Sequence, residues 1–385
     1  MSRENGRNPK ISYSGSCIVF VLTERLVRRL ADKSDVLIEN FKPGTMEKWG
    51  LGPAELYASN PGLIYTRVSG YGQTGPYSSR PGYAAVCEGM GGFRYVNGCP
   101  GNPPVRPNIS LGDSLAGLHA ALGVVLGLLA RDQLRNVTRA ELGTKNEGRT
   151  KRTGQVIDVA IYEAVLNMME GIVPEFDRLG KIRQPSGTTV TGIVPTNTYP
   201  CADGKHVIIG GNGDSIYKRL MLSAGRPDLA TKEYETNADR VKHQKKIDDA
   251  IADWTRTLPS HEVLARLEAV SVPAGKIYDV RDIVEDDHIK ARGMVEEVKV
   301  KKEEGKEWSV KVPGMSPVLE ETPGETKWAG PDLGAHNREV LQDELGLAVI
   351  DLMKLQAKGV IGKTVLMAML LCGCGCGYQY FNEII

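Results

Sequence analysis

A short strand, a helical stretch and a second strand follow one another between residues 35 and 68, and this order limits the possible folds more than any other part of the chain. Asp35-Val36-Leu37-Ile38 reads as a short buried strand, and Leu63-Ile64-Tyr65-Thr66-Arg67-Val68 as a second one rich in branched residues. Between them, residues 53–59 carry Pro53 at the first helical position, where its missing N–H is not needed. Strand, helix, strand predicts an α/β unit. In open parallel sheets ligands bind beyond the carboxyl ends of the strands, which makes the loops at 40–44 and 69–77 candidate binding loops.

The same grammar continues. A helix is expected at 23–31, a strand at 155–160 and a helix at 162–170. Residues 70–107, dense in Gly, Pro, Tyr and Asn, read as a long loop acting as a lid or ligand wall. Residues 133–150 read as an exposed insertion, and Gly, Pro, Ser and Thr between 180 and 198 mark a domain crossing. Beyond it a strand at 205–209 is closed by Gly210-Gly211-Asn212-Gly213, with helices at 215–224, 241–255 and 261–270. Alternating strands follow at 295–300 and 308–312, then helices at 339–344 and 350–357. The apolar run 365–371 is too short to span a bilayer.

Leu111-Gly112-Asp113 opens a run in which Leu115, Leu118, Leu122, Leu126 and Leu129 recur at helical spacing, predicting a helix that buries its leucine face. Asp113 then lies at the helix start, where unpaired backbone N–H groups and the helix dipole favour a negative charge. Spacing alone favours the N-cap, a role that Asp fills in very many helices, over an ionised nucleophile.

Composition narrows the function. The chain has 385 residues, 41% of them apolar, enough for one large or two ordinary domains. Lys plus Arg (48) balances Asp plus Glu (47), so no global field draws the chain to nucleic acid or an anionic membrane. Seven cysteines without framework spacing suit a reducing compartment, and the alternating Cys372, Cys374 and Cys376 do not match metal-ligand spacing, so no metal is expected. No Gly-x-Ser-x-Gly elbow and no His-Glu-x-x-His helix is present, which removes the commonest hydrolase chemistries. The glycine cluster at 210–213 lacks both the P-loop ending and the dinucleotide fingerprint.

Several blocks, taken in order, resemble the family III CoA-transferases (CaiB/BaiF type). They are Asp35-Val36-Leu37-Ile38-Glu39-Asn40-Phe41-Lys42-Pro43-Gly44, Met46-Glu47-Lys48-Trp49-Gly50-Leu51-Gly52 and Val68-Ser69-Gly70-Tyr71-Gly72-Gln73-Thr74-Gly75-Pro76. Leu111-Gly112-Asp113, Thr153-Gly154-Gln155 and Pro273-Ala274-Gly275 complete the set. Within the family the chain is most similar to the succinyl-CoA:glutarate (hydroxymethylglutarate) CoA-transferase group. The resemblance implies a large Rossmann-like open parallel-sheet domain over 1–185, its N-terminal βα block incomplete, and a smaller α+β domain over 196–300. Residues 301–360 would return to the large domain and 361–385 form an atypical tail. It also implies interlocked homodimers and a mitochondrial or otherwise cytoplasmic location, with neither membrane nor nucleic acid as partner.

The resemblance implies roles as well. Asp113 matches the nucleophile that forms aspartyl anhydride and thioester intermediates, and Gly210 and Gly211 match a mobile loop that donates N–H groups to the oxyanion. Asn40, Phe41, Lys48 and Trp49 match CoA-binding positions, and Arg80 is a further candidate for phosphate. Tyr83 is a candidate for the acyl site, and Arg106 for the distal carboxylate of a dicarboxylic acid. No cofactor is implied, because the CoA thioester is itself the substrate. Two other readings stay open: an α-methylacyl-CoA racemase, which moves an α-proton on the same fold, and a catalytically impaired isoform of the transferase.

Overall fold

The structure is a computed structural model that describes residues 15–134, 153–301 and 307–362. The insertion expected at 133–150, beyond its first two positions, the apolar run 365–371 and the cysteine-rich tail lie outside the described residues. The chain divides into two compact units. One comprises Met1–Pro81, Ala116–Ala160 and Gly293–Ile385, the other Gly82–Leu115 and Ile161–Arg292.

In the first unit β1 (Val36–Glu39), β2 (Ile64–Ser69) and β3 (Val156–Ala160) form a parallel sheet in the order β1-β2-β3. The α/β architecture read from residues 35–68 is therefore present. The middle strand β2 is buried at every residue but one, as its branched composition demands. Ala31 of the helix Gly15–Lys33 and Leu56 of the helix Pro53–Tyr57 pack with Met46, Leu51, Leu63 and Tyr65. The buried Tyr65 hydroxyl donates to the Leu51 carbonyl at 2.8 Å and so is not left unsatisfied.

Gly154 shows why glycine stands ahead of β3. Its N–H donates to the Pro61 carbonyl at 2.7 Å, and a Cβ at this position would lie 1.8 Å from the Leu63 carbonyl oxygen. Backbone there cannot yield as a flexible side chain would. Gly154→Ala is expected to lower unfolding free energy by at least about 2 kcal/mol, read from the urea midpoint; an unchanged midpoint would refute this close approach.

The helix Leu111–Leu134 overturns one expectation. Its leucines share a face as predicted, but that face is exposed: Leu118, Leu122, Leu126 and Leu129 are each more than half accessible. Contact with the sheet is made by small residues instead. Ala116 and Ala120 are buried, a Cβ at Gly123 would lie 2.8 Å from Ile157, and one at Gly127 would lie 3.3 Å from Ile157 and Ile64. Periodicity reports which residues share a face, and close approach to branched strand residues selects the face without side chains. By length and composition this helix could also cross a membrane, yet its small face lies on β2 and β3.

The second unit carries an antiparallel sheet of β4 (Thr196–Pro200), β5 (His206–Gly210) and β6 (Ala274–Lys276), with helices Asp214–Ser223, Gln244–Thr255 and Ser260–Ala269. Val207, Ile209, Leu220, Ile247, Ile251, Val263 and Leu267 form its core. The stretch 180–198, expected to mark a crossing, runs inside this unit. Residues 70–107 are not one loop: they contain the helices Ala84–Met90 and Phe93–Val96. Gly91, whose neighbours Gly89 and Gly92 suggested a loop, is held against Val165, which a Cβ would approach to 2.6 Å. In the first unit, β7 (Val295–Lys301) and β8 (Glu307–Pro313) pair as an antiparallel ribbon, followed by the helical segments Arg338–Glu344 and Val349–Ala357.

Candidate active site

The first unit places four of the expected CoA-binding residues on one short segment. β1 ends at Glu39, Asn40 and Phe41 follow as exposed residues, and Gly44 turns the chain at φ +83° into the helix Thr45–Lys48. A residue with a Cβ would be strained there, so this turn explains the glycine. Phe41 and Trp49 meet edge to face with ring centroids 4.9 Å apart, while Lys48 is exposed. Asn40, Phe41, Lys48 and Trp49 are thus brought together.

Buried charge underlies this segment. Arg67, on β2, donates through Nε to Glu39 Oε1 at 2.7 Å and through its Nη atoms to Glu47 at 2.6 and 3.1 Å. The other oxygen of Glu39 accepts the Phe41 N–H at 2.7 Å. Hydrogen bonding to Arg67 holds the Glu47 carboxyl below its ordinary range. None of these three charges was singled out from the sequence. The available signal was Arg67 itself, a lone charge inside an otherwise uncharged buried strand, which requires a partner.

Beyond β2, the Gly72 N–H donates to Ser69 Oγ at 3.0 Å and the Gln73 N–H to Asp158 Oδ2 of β3 at 2.9 Å. The parallel register that sets Ser69 beside Ala160 makes the second bond possible. Arg80 is exposed, its guanidinium carbon 3.6 Å from the Tyr77 ring centroid.

In the second unit Asp113 lies inside the first turn of its helix, which begins at Leu111, so it is not the capping residue. It is exposed. The helix start is held from below by Glu88, fully buried, which accepts the Gly112 N–H at 3.2 Å and pairs with Arg94 Nε at 2.9 Å. A Cβ at Gly112 would press on Glu88 and Ile161 at 3.3 Å, so glycine allows the turn to seat on that carboxylate. The Cys87 thiol is pushed up by burial and then by the negative charge of Asp113. Glu88 carried no sequence signal, because a Glu among glycines reads as an exposed loop residue.

Tyr83, 81% accessible, leads into the helix Ala84–Met90, and Arg106 is exposed. Among the described residues no hydrogen bond joins either to Asp113. The glycine loop is hydrogen-bonded within its own unit. The Gly210 N–H donates to the Pro273 carbonyl at 2.9 Å and the Gly211 N–H to the Pro195 carbonyl at 2.8 Å, so neither is available to an oxyanion in this structure. Gly211 has a packing reason as well: a Cβ would lie 2.5 Å from Leu220. Among the described residues no group of three or more His, Cys, Asp and Glu could hold a metal.

Residues 23–337, carrying both groups of candidate residues, match CoA-transferase family III. The chain belongs to that family. A succinyl-CoA–D-citramalate CoA-transferase of Chloroflexus aurantiacus is 42% identical over 339 residues, covering 88% of this chain and 79% of the relative. A succinate–glutarate CoA-transferase of Agrobacterium fabrum is 29% identical over 321 residues, covering 83% and 74%. Among solved structures, a CaiB/BaiF family protein of Brucella suis superposes with a TM-score of 0.66 at 29% identity, covering 84% of this chain and 78% of that one. This family III CoA-transferase is accordingly an enzyme with the α/β fold expected of it.

Proposed function

We propose that this CoA-transferase moves CoA from succinyl-CoA to a short dicarboxylic acid, glutarate or hydroxymethylglutarate, with Asp113 as the nucleophile. The observation that carries the reading is Asp113 itself, an exposed carboxylate in a first helical turn whose backbone is anchored by the buried Glu88. A carboxylate so placed attacks the thioester carbonyl, releasing CoA thiolate and leaving a succinyl–aspartyl anhydride. The thiolate then attacks the aspartyl carbonyl, expelling succinate and forming an aspartyl–CoA thioester. The acceptor carboxylate displaces the thiolate to give a second anhydride, and thiolate attack on the acceptor's acyl carbon yields the new CoA thioester and regenerates Asp113. Overall one CoA thioester is exchanged for another of similar energy, so no external energy source is needed.

Phe41 and Trp49 would receive the adenine end of CoA, with Lys48 and Arg80 meeting phosphate and Asn40 contributing beside them. Tyr83 would line the acyl site and Arg106 would hold the distal carboxylate. Gly210 and Gly211 could serve the oxyanion only by exchanging their proline carbonyl partners for it. Citramalate, the acceptor named for the 42% identical relative, is the competing acid. A trapping experiment tests the chemistry: the protein is incubated with succinyl-CoA, quenched with hydroxylamine or borohydride, and mapped by mass spectrometry. Modification at Asp113 is expected; turnover without it would overturn the assignment. Relative kcat/KM for glutarate, hydroxymethylglutarate, citramalate and malate then identifies the acceptor.

A second copy of the chain is the proposed partner. The exposed Leu118, Leu122, Leu126 and Leu129 form an apolar face of the kind that marks an interface. Sedimentation of the purified chain is expected to show a dimer, and a monomer at micromolar concentration would count against it.

A further inference from the structure

We propose that Arg67 and Glu39 are positioning residues for CoA, holding the Asn40–Phe41 loop and the Lys48–Trp49 turn in the shape that receives the nucleotide. The inference rests on the reading of that segment as the CoA site and concerns residues that do not themselves touch the ligand. Its basis is a bridge. Glu39, with 2% of its side chain accessible, uses one oxygen for Arg67 Nε and the other for the Phe41 N–H, both at 2.7 Å. Arg67, 7% accessible, turns its remaining nitrogens to Glu47, directly before Lys48. One guanidinium therefore ties the end of β1 to the helix Thr45–Lys48, and the Phe41–Trp49 edge contact closes the loop on its exposed side.

Energetics argues for positioning over stability. A buried ion pair commonly does no better for stability than well-packed apolar residues of the same volume, because desolvation offsets the Coulomb attraction. Here two carboxylates meet a single guanidinium, so the arrangement is not even neutral. Its distinctive product is geometry: the backbone of an exposed aromatic residue is held by a side chain rather than by a strand partner. A loop ordered in advance loses less entropy when ligand arrives, and that gain appears in binding rather than in the chemical step.

Glu39→Gln is the diagnostic substitution, because Arg67 Nε and the Phe41 N–H use different oxygens of Glu39 and glutamine turns one of these into an NH2 donor, leaving one of the two N–H groups facing a donor. In the full chain, amide exchange in the peptide covering residues 40–49 should become faster. The Kd for CoA by calorimetry and the KM for succinyl-CoA should rise about tenfold, with kcat and the acceptor KM within about twofold of the original. Glu47→Gln, at the more accessible end of the bridge, provides a second arm if Glu39→Gln does not fold; it should weaken CoA binding about threefold. A fall in kcat at constant KM, or unchanged CoA affinity in a chain that binds CoA, overturns the positioning role alone. Failure of the unsubstituted chain to bind CoA overturns the reading of the segment on which the proposal rests. The exchange comparison distinguishes these cases, since it reports the bridge without ligand.

Discussion

Asp113→Asn is expected to lower CoA transfer by about a thousandfold or more. The amide keeps the size of the side chain but cannot attack a thioester to give an anhydride. Asp113 is exposed and not a capping residue, so the substitution should leave the melting temperature nearly unchanged and isolate chemistry from folding. Asp113→Ala provides the control against slow deamidation back to aspartate. The measurement is steady-state transfer from succinyl-CoA to glutarate, with α-proton exchange in deuterated water followed in the same samples. Retention of activity within tenfold would remove Asp113 from the mechanism, and label incorporation would favour a racemase.

Arg240→Met is expected to have the largest effect on stability, about 3–5 kcal/mol. Arg240 is fully buried in the second unit and donates to four carbonyls: Val194 at 3.0 Å, Tyr234 at 3.1 Å, Glu235 at 2.8 Å and Asn212 at 2.7 Å. It also pairs with Asp214 at 2.7 Å and lies over the Tyr217 ring. Methionine fills the space and leaves those carbonyls without donors. Asp214 is itself largely accessible, so little of the loss comes from that ion pair. Because one of the carbonyls belongs to Asn212, the Gly210–Gly213 turn should loosen in the same variant. Urea denaturation checks the magnitude, and a loss below about 1 kcal/mol would mean that water replaces the guanidinium.

Local pattern carried a large part of this protein. The strands near 36–39, 64–69 and 156–160 were legible because branched apolar runs favour a pleated, covered surface whatever lies around them. The helix behind Asp113 was legible because its apolar spacing is a property of adjacent turns. Family membership was legible because the blocks at 35–52, 68–76 and 111–113 lie on the loops and helix starts where function concentrates.

Other features depended on residues distant in the chain. Gly123 and Gly127 lie against Ile157 and Ile64, and Ala116 and Ala120 are buried, while the leucines face outward, because room for the branched strand residues mattered more than hydrophobicity. Gly91 sits in a helix junction because Val165 leaves no space for a side chain. The N–H groups of Gly210 and Gly211 looked free until the carbonyls of Pro273 and Pro195 were brought to them. Arg67 could be marked as a charge out of place, whereas Arg240 stands in a charged run that marks nothing, and a guanidinium does not disclose its acceptors. Segment type and the class of chemistry thus follow from neighbours along the chain. Which face is covered, which donor is engaged and which charge is answered follow from contacts made on folding, because hydrogen bonding and close packing depend on distances that residue order does not encode.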